Sequence, residues 1–562
     1  MAQIQFKGKS FVQNHHLLVK YHELIPKNNK SLTDKVSLHD NLIIHGDNLK
    51  ALKALLPLYA GKIKCIYIDP PYNTGNEKWV FNDNVNSPMM QEWLGKVVDR
   101  EDLTRHDKWL CMMMPRLKLL RELLREDGII CASIDDNEFN NLISLFDEVF
   151  GETNRFGIII VRNNPRGRRL GTELAVEHEY LIIYARQTDK FKAGKLDLTE
   201  EQLSEYSKTD RDGRKCRWLG LRKRGALAKR EDRPNLHYAL YVDPKDGTVH
   251  VKNGKNFEEV IPKLSDGTDG VWRWSKRKVE DEAHLLIGSI VKRRNSDKKE
   301  WDVFQIDYPE DENGGIGGRL FPTIWQGSEF NNETGRDQIK DLFGKAVFEY
   351  PKPVDLVKHA ILLAGDKDSL ILDSFAGSGT TSQAVFELNH SDDGNRKFIL
   401  VECEDYADKI TAERVRRIIK GVTKAKDENL KEGLGGTFSY FELGKAIELE
   451  SILSGDGLPT YEELARYIFY TATGEEFDPK AMNEKKNFVG ESRNYKVYLF
   501  YEPDIQKLKN IALTLERAKS IGKYGEKRRL VFAPTKYLDQ AHLDELRIDF
   551  AQLPFEIYEL AR

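Results

Sequence analysis

The chain has 562 residues, of which 40% are hydrophobic and 31% charged, with a net charge of −3. That is enough apolar material for a full core and, at typical domain sizes, two to four domains. No apolar run approaches a membrane span and residues 1–20 hold no hydrophobic block, so a membrane protein is excluded and a cytoplasmic location is expected.

Residues 42–45 are a short apolar run ending at Gly46-Asp47, and a helix follows with Leu49, Leu52, Leu55 and Leu56 at helical spacing. Residues 64–68 read as a buried strand that ends at Asp69. Residues 109–125 read as a helix with Met113, Leu117, Leu120 and Leu124 on one side, 128–134 as a strand and 139–150 as another helix. Strands alternating with helices predict a parallel α/β sheet covered on both faces, which 158–161 and 180–185 extend. From about 189 to 341 the pattern dissolves into a separate module or long insertion. It returns as a helix at 355–364, a strand at 369–372, a helix at 380–388 and a strand at 397–401. The last section, 421–562, is mixed α/β, strongly charged and free of chemical motifs.

The average charge hides a basic stretch. Residues 208–299 carry 24 Lys plus Arg against 14 Asp plus Glu, a net +10. A nucleic-acid surface needs such an excess, because neutralising phosphates supplies most non-specific affinity; a merely solvated basic face would look the same. Arg222, Lys223, Arg224, Lys229, Arg230 and Arg233 cluster near Trp218, with Tyr238 following. Arg can read guanine edges, whereas Lys mostly meets phosphate. Trp272 and Trp274 read as structural before they read as stacking platforms. The five cysteines, Cys65, Cys111, Cys131, Cys216 and Cys403, form no CxxC pair, so neither a metal site nor a disulfide framework is expected.

Two strings carry chemistry. Asp69-Pro70-Pro71-Tyr72 follows a strand directly, where ligands of an open α/β sheet bind. An exocyclic base amine is a poor nucleophile because its lone pair is delocalised into the ring. The Asp69 carboxylate and the Pro70 carbonyl can accept its two N–H bonds, the prolines fix the backbone, and Tyr72 offers a stacking face to a base flipped from the duplex. Asn73-Thr74-Gly75 lengthens the string, and Phe81 is a candidate second stacking face. The bland alternative is a proline turn after a strand.

The second string, 373–381, runs Asp373-Ser374-Phe375-Ala376-Gly377-Ser378-Gly379-Thr380-Thr381, between a strand and a helix. It lacks the Lys of a P-loop and the third glycine of a dinucleotide fingerprint. A strand further on ends at Glu402, where an acid can hold both ribose hydroxyls. A glycine loop, a strand and an acid suit a nucleoside cofactor without phosphates, of which S-adenosylmethionine is the common one.

Together these residues resemble the β class of DNA amino-methyltransferases, in which the catalytic DPPY motif precedes the cofactor FxGxG motif. Gly46-Asp47-Asn48-Leu49, Ser133-Ile134-Asp135-Asp136-Asn137-Glu138, His178-Glu179-Tyr180, Trp272-Arg273-Trp274-Ser275-Lys276 and Pro351-Lys352-Pro353-Val354 resemble the modification (Mod) subunits of type III restriction–modification systems, over roughly residues 40–405. The pattern departs at Ser374, where that family usually has Phe. The resemblance implies a Rossmann-like, circularly permuted S-adenosylmethionine-dependent methyltransferase fold with an inserted target-recognition domain. The implied order is an N-terminal extension (1–40), a catalytic half (41–188), target recognition (189–345), a cofactor half (346–420) and a C-terminal domain (421–562) for contacts with a second copy or a partner. It implies N6-adenine methylation of duplex DNA, with N4-cytosine methylation or a non-catalytic specificity subunit as alternatives. Asp69, Pro70, Pro71 and Tyr72 would be catalytic. Asp47, Lys352, Asp373, Phe375, Ala376, Gly377, Gly379, Thr380 and Glu402 would hold the cofactor, with Lys352 toward its methionine carboxylate. Arg222, Lys223, Arg224, Arg230 and Arg233 would meet DNA. The implied partners are duplex DNA, a second copy in a homodimer and a helicase–nuclease restriction subunit, in a nucleoid-associated bacterial or archaeal setting.

Overall fold

The computed structural model describes residues 4–74, 104–169, 174–210, 212–292, 299–309, 318–446, 459–473, 475, 477–508, 510–521 and 527–553. Phe81 and Gly75 lie outside the described residues. The chain forms two units, Met1–Gly194 with Pro322–Arg562, and Lys195–Phe321.

The alternating apolar runs of the larger unit become one ten-stranded sheet. Its strands are β1 (His22–Pro26), β2 (Leu42–His45), β3 (Ile63–Ile68), β4 (Leu124–Ile134), β5 (Arg155–Val161), β6 (Glu179–Ala185), β7 (Ile324–Trp325), β8 (Leu370–Asp373), β9 (Lys397–Glu402) and β10 (Ser439–Ala446), in the order β1-β10-β2-β9-β8-β3-β4-β6-β5-β7. From β10 to β4 neighbours are parallel. Every residue of β3 is buried, as continuous apolar strands require when both faces are covered. Among its helices are α1 (Asn48–Tyr59), α2 (Arg105–Leu123), α3 (Phe139–Phe150), α4 (Val354–Ala364), α5 (Thr380–Asp392) and α6 (Glu413–Lys420). α2 begins at a capping box in which Thr104 and Asp107 satisfy each other's backbone N–H. Its face of Leu110, Met113, Leu117 and Leu120 packs with α1, α3 and the strands into one core; each such side chain contributes about 1.5–3 kcal/mol of burial.

Three expectations are corrected. The sheet is not wholly parallel: β6 runs antiparallel to both β4 and β5, and β1 antiparallel to β10. No helix pattern separates β5 from β6, and strands without a crossover helix pair antiparallel. The helix expected to 125 ends at Leu123, because Leu124 pairs with Ile63 as the start of β4. And the terminal segments are not separate from the sheet: β1, inside 1–40, and β10, inside 421–562, pair with each other, and β10 is parallel to β2. Beyond β10, the strands Phe488–Glu491, Tyr495–Leu499, Arg528–Ala533 and Ile548–Gln552 form a four-stranded sheet whose last three strands are parallel. Among the described residues no helix is long and apolar enough to cross a membrane.

Among the described residues of the smaller unit the paired strands are antiparallel. Leu286–Lys292, Lys299–Asp307, Lys215–Gly220 and Lys208–Thr209 make one sheet, and Val249–His250, Leu240–Val242 and Glu258–Val260 another. Trp272 and Trp274 lie in its core. Trp272 donates to the Tyr238 carbonyl and the Tyr238 hydroxyl to the Trp274 carbonyl, both at 2.8 Å, so these tryptophans are structural.

Candidate active site

Four adjacent parallel strands, β2, β9, β8 and β3, each deliver an acid at or just past their carboxyl ends: Asp47, Glu402, Asp373 and Asp69. All four line one cavity of about 530 Å³. The volume falls in the range typical of small-ligand sites, and the position is where open α/β sheets bind ligands.

At one end stands Asp69. Its Oδ1 lies 3.1 Å from Lys352 Nζ. The same ammonium donates to the Tyr72 hydroxyl at 2.6 Å and to Glu179 Oε2 at 3.1 Å, and lies 4.7 Å from the Tyr72 ring centre. Tyr72 in turn donates to Glu179 Oε2 at 3.0 Å. Burial pushes the Asp69 carboxyl above its ordinary range, Lys352 pulls it down, and Glu179 pushes it up again. Lys352, expected toward a methionine carboxylate, is therefore engaged at the Asp69 end. The turn after β3 is held from outside: the Trp109 indole donates to the Pro71 carbonyl at 2.7 Å. Asn73 takes a positive φ of 56°, and its amide donates to the buried Glu138 carboxylate and to the Arg105 carbonyl.

At the other end the glycine loop wraps the N-terminus of α5. Gly377 and Gly379 have φ of 52° and 79°, where a side chain is strained. A Cβ on Gly377 would stand 3.3 Å from the Phe348 ring, and one on Gly379 3.3 Å from the Thr411 methyl. Asp373 accepts from the Phe375 N–H at 3.0 Å and the Thr381 hydroxyl at 2.6 Å. Glu402 accepts from the N–H groups of Gly377, Cys403 and Glu404 at 2.7–3.0 Å. Burial raises both carboxyls to about 7. Ala376 donates to the Val401 carbonyl, and the Thr380 hydroxyl to the Lys352 carbonyl, tying the loop to both ends.

The DNA methylase family profile matches residues 63–413, which contain both strings. The chain belongs to the DNA methylase family. The methylase is 32% identical over 444 residues to the type III restriction-modification enzyme EcoPI Mod subunit of Escherichia phage P1, covering 74% of this chain and 67% of that one. It is 35% identical over 384 residues to the type II methyltransferase M.KpnI of Klebsiella pneumoniae, covering 66% and 82%. To the EcoP15I Mod subunit of Escherichia coli it is 30% identical over 420 residues, covering 67% and 60%.

Three residues of the methylase's site escaped sequence reasoning. Arg116, buried on α2, lies 3.4 Å from Asp47 and bonds Asn48, whose amide donates to the Ser374 carbonyl at 3.0 Å. Asp47 also caps α1 by accepting from the Lys50 N–H at 3.0 Å. Arg414, fully buried on α6, donates to the Ser378 and Thr380 hydroxyls at 3.0 and 2.9 Å and to Gln383, and so braces the glycine loop from beneath. Glu179 is the third; its His-Glu-Tyr string was visible but carried no role.

In the methylase's smaller unit the five basic candidates separate. Arg222 pairs with the buried Asp302 at 2.7 Å, and Arg230 with Asp269 at 3.0 Å. Arg224 and Arg233 are exposed and Lys223 is half-buried, and none of the three makes an ion pair among the described residues. Trp218 packs on Phe304, 6.0 Å between ring centres, with Lys208 over its ring.

Proposed function

We propose that the chain transfers a methyl group from S-adenosylmethionine to the N6 amine of adenine in duplex DNA, as the modification component of a restriction–modification system. The observation that carries this reading is that Asp69 and residues 375–378 open onto one cavity. The cavity fits the methyl donor: its volume suffices, its loop is a cradle that Cβ atoms would fill, and its acids suit an uncharged sugar and a cationic centre. Asp47 and Glu402 would hold the adenosine part and Phe375, Ala376, Gly377, Gly379 and Thr380 the methionine part, with Asp373 fixing the loop. Bound there, S-adenosylmethionine supplies the methyl group.

The chain's own part is positioning. The Asp69 carboxylate and the Pro70 carbonyl accept the two N–H bonds of the flipped amine and aim its lone pair into the cavity. Lys352 opposes burial at Asp69 and pulls its carboxyl toward the ionised form, the stronger acceptor. Asp in the first motif position supports adenine, the choice that the resemblance to Mod subunits implies. Arg224, Arg233 and Lys223 are the residues best placed to meet phosphate. A homodimer, a helicase–nuclease partner and a cytoplasmic setting belong to the same proposal. The test is to incubate the protein with unmethylated genomic DNA and methyl-labelled S-adenosylmethionine, then hydrolyse the DNA. Labelled N6-methyladenine is expected; label in N4-methylcytosine, or none in protein that binds DNA, overturns the reading.

A further inference from the structure

Glu179 opens β6, the reversed strand, and its side chain is only 3% exposed. Its Oε2 receives both the Tyr72 hydroxyl and the Lys352 ammonium, while its Oε1 is buried without a hydrogen-bond partner among the described residues. Burying a carboxylate is costly unless it is paired. Here one ammonium serves two carboxylates, Asp69 and Glu179, so Glu179 adds a charge that the fold alone does not need. An apolar residue on β6 would fill the place at lower cost.

We propose that Glu179 is a positioning residue for methyl transfer: through the Tyr72 hydroxyl it fixes the ring against which the target base stacks, and through Lys352 it fixes the ammonium beside Asp69. The inference rests on the methyl-transfer reading above. It places Glu179 outside the reacting atoms. Glu179 acts on the ring plane by accepting the phenol hydrogen, and on Asp69 by sharing the cation.

The sign of its electrostatic effect follows from the groups present. Facing Asp69 are Tyr72 beyond β3, Glu179 from β6, Lys352 from the segment before α4, Tyr67 on β3 and Asp373 ending β8; Asp135, after β4, faces Tyr72. Glu179 holds the Asp69 carboxyl up and Lys352 holds it down. The ionised Asp69 is the stronger acceptor, so the rate falls as pH falls through its pKa. Removing the Glu179 charge moves that acid limb to lower pH, and removing the Lys352 charge moves it to higher pH.

The experiment is single-turnover methylation of duplex DNA across pH by the wild type, Glu179→Gln, Lys352→Met and Tyr72→Phe, with KM for S-adenosylmethionine measured alongside. For Glu179→Gln the expected result is a single-turnover rate about 10- to 100-fold lower, as for a misplaced reacting group, with KM changed less than about twofold and the acid limb shifted down. Lys352→Met should shift the limb up. A folded Glu179→Gln with wild-type single-turnover rate and acid limb overturns the proposal, as does a loss confined to KM. If Glu179→Gln does not fold, Tyr72→Phe decides, since it deletes the hydroxyl that joins Glu179 and Lys352 to the ring; an unchanged single-turnover rate there overturns the proposal equally. A wild type that labels no adenine refutes the underlying reading instead, and is told apart by that control alone.

Discussion

The two ends of the cavity use carboxylates in opposite ways. At the loop end, Asp373 and Glu402 spend their oxygens mainly on backbone N–H groups, and burial leaves both carboxyls near neutral pH. At the other end, Asp69 and Glu179 face side chains, and one lysine is shared between them. A loop pinned through its backbone is a shape, set once at folding. A cluster pinned through side-chain charges is a field, and each member changes what the others do. The cofactor end should therefore tolerate changes of charge better than changes of backbone freedom, and the Asp69 end the reverse.

The sharpest way to break that contrast is Asp69→Ala. It should lower the methylation rate by several powers of ten, about 3–5 kcal/mol, yet leave binding of S-adenosylmethionine within about threefold by equilibrium dialysis. A matching loss of binding would mean that the two ends are not separate in kind. Next in size is Gly379→Ala. Forcing a side chain to a φ of 79° costs about 1–2 kcal/mol, and the expected reading is about a tenfold weaker affinity for S-adenosylmethionine with a single-turnover rate close to wild type.

A third test extends the contrast to the smaller unit. Arg224→Ala and Arg233→Ala should each weaken DNA binding and reduce the slope of log affinity against log salt by about one. Arg222→Ala should instead lower the melting temperature, because it strands the buried Asp302. A fourth test concerns pH. Asp373 and Glu402 have folded-state values of about 7 against ordinary values of 3.8 and 4.5. Their stabilisation is complete below the ordinary values and is lost as pH rises through about 7. The melting temperature should accordingly fall from about pH 4 to about pH 7 and level off above, and Glu402→Gln should make that slope shallower in calorimetry.

How much of this was legible in the sequence depended on distance along the chain. Asp69-Pro70-Pro71-Tyr72 and the 373–381 string each sit at one strand end, so a local pattern located both. The partners that define their state come from afar: Glu179 lies 107 positions from Tyr72, and Lys352 lies 280 from it. Only the sheet order, with reversed β6 beside β4, unites them. The basic cluster shows the same limit. Counting charges located the stretch, but which arginine is already spent depends on Asp302, 80 positions from Arg222. The helix end at Leu123 was misjudged for the same reason, since Leu124 keeps the helical apolar spacing while pairing with Ile63 across the sheet.

The pairing of β1 with β10 also sets a timetable for synthesis. β1 ends at residue 26 and β2 at residue 45, and β10 is not complete until residue 446, yet β10 lies between β1 and β2. At about 5–20 residues per second, the emerging chain carries two unfinished strand edges for on the order of 20–80 s before the strand that joins them leaves the ribosome. During that interval the nascent protein is open to wrong partners, and a chaperone that shields residues 22–45 would raise the yield of folded enzyme more than one acting after release.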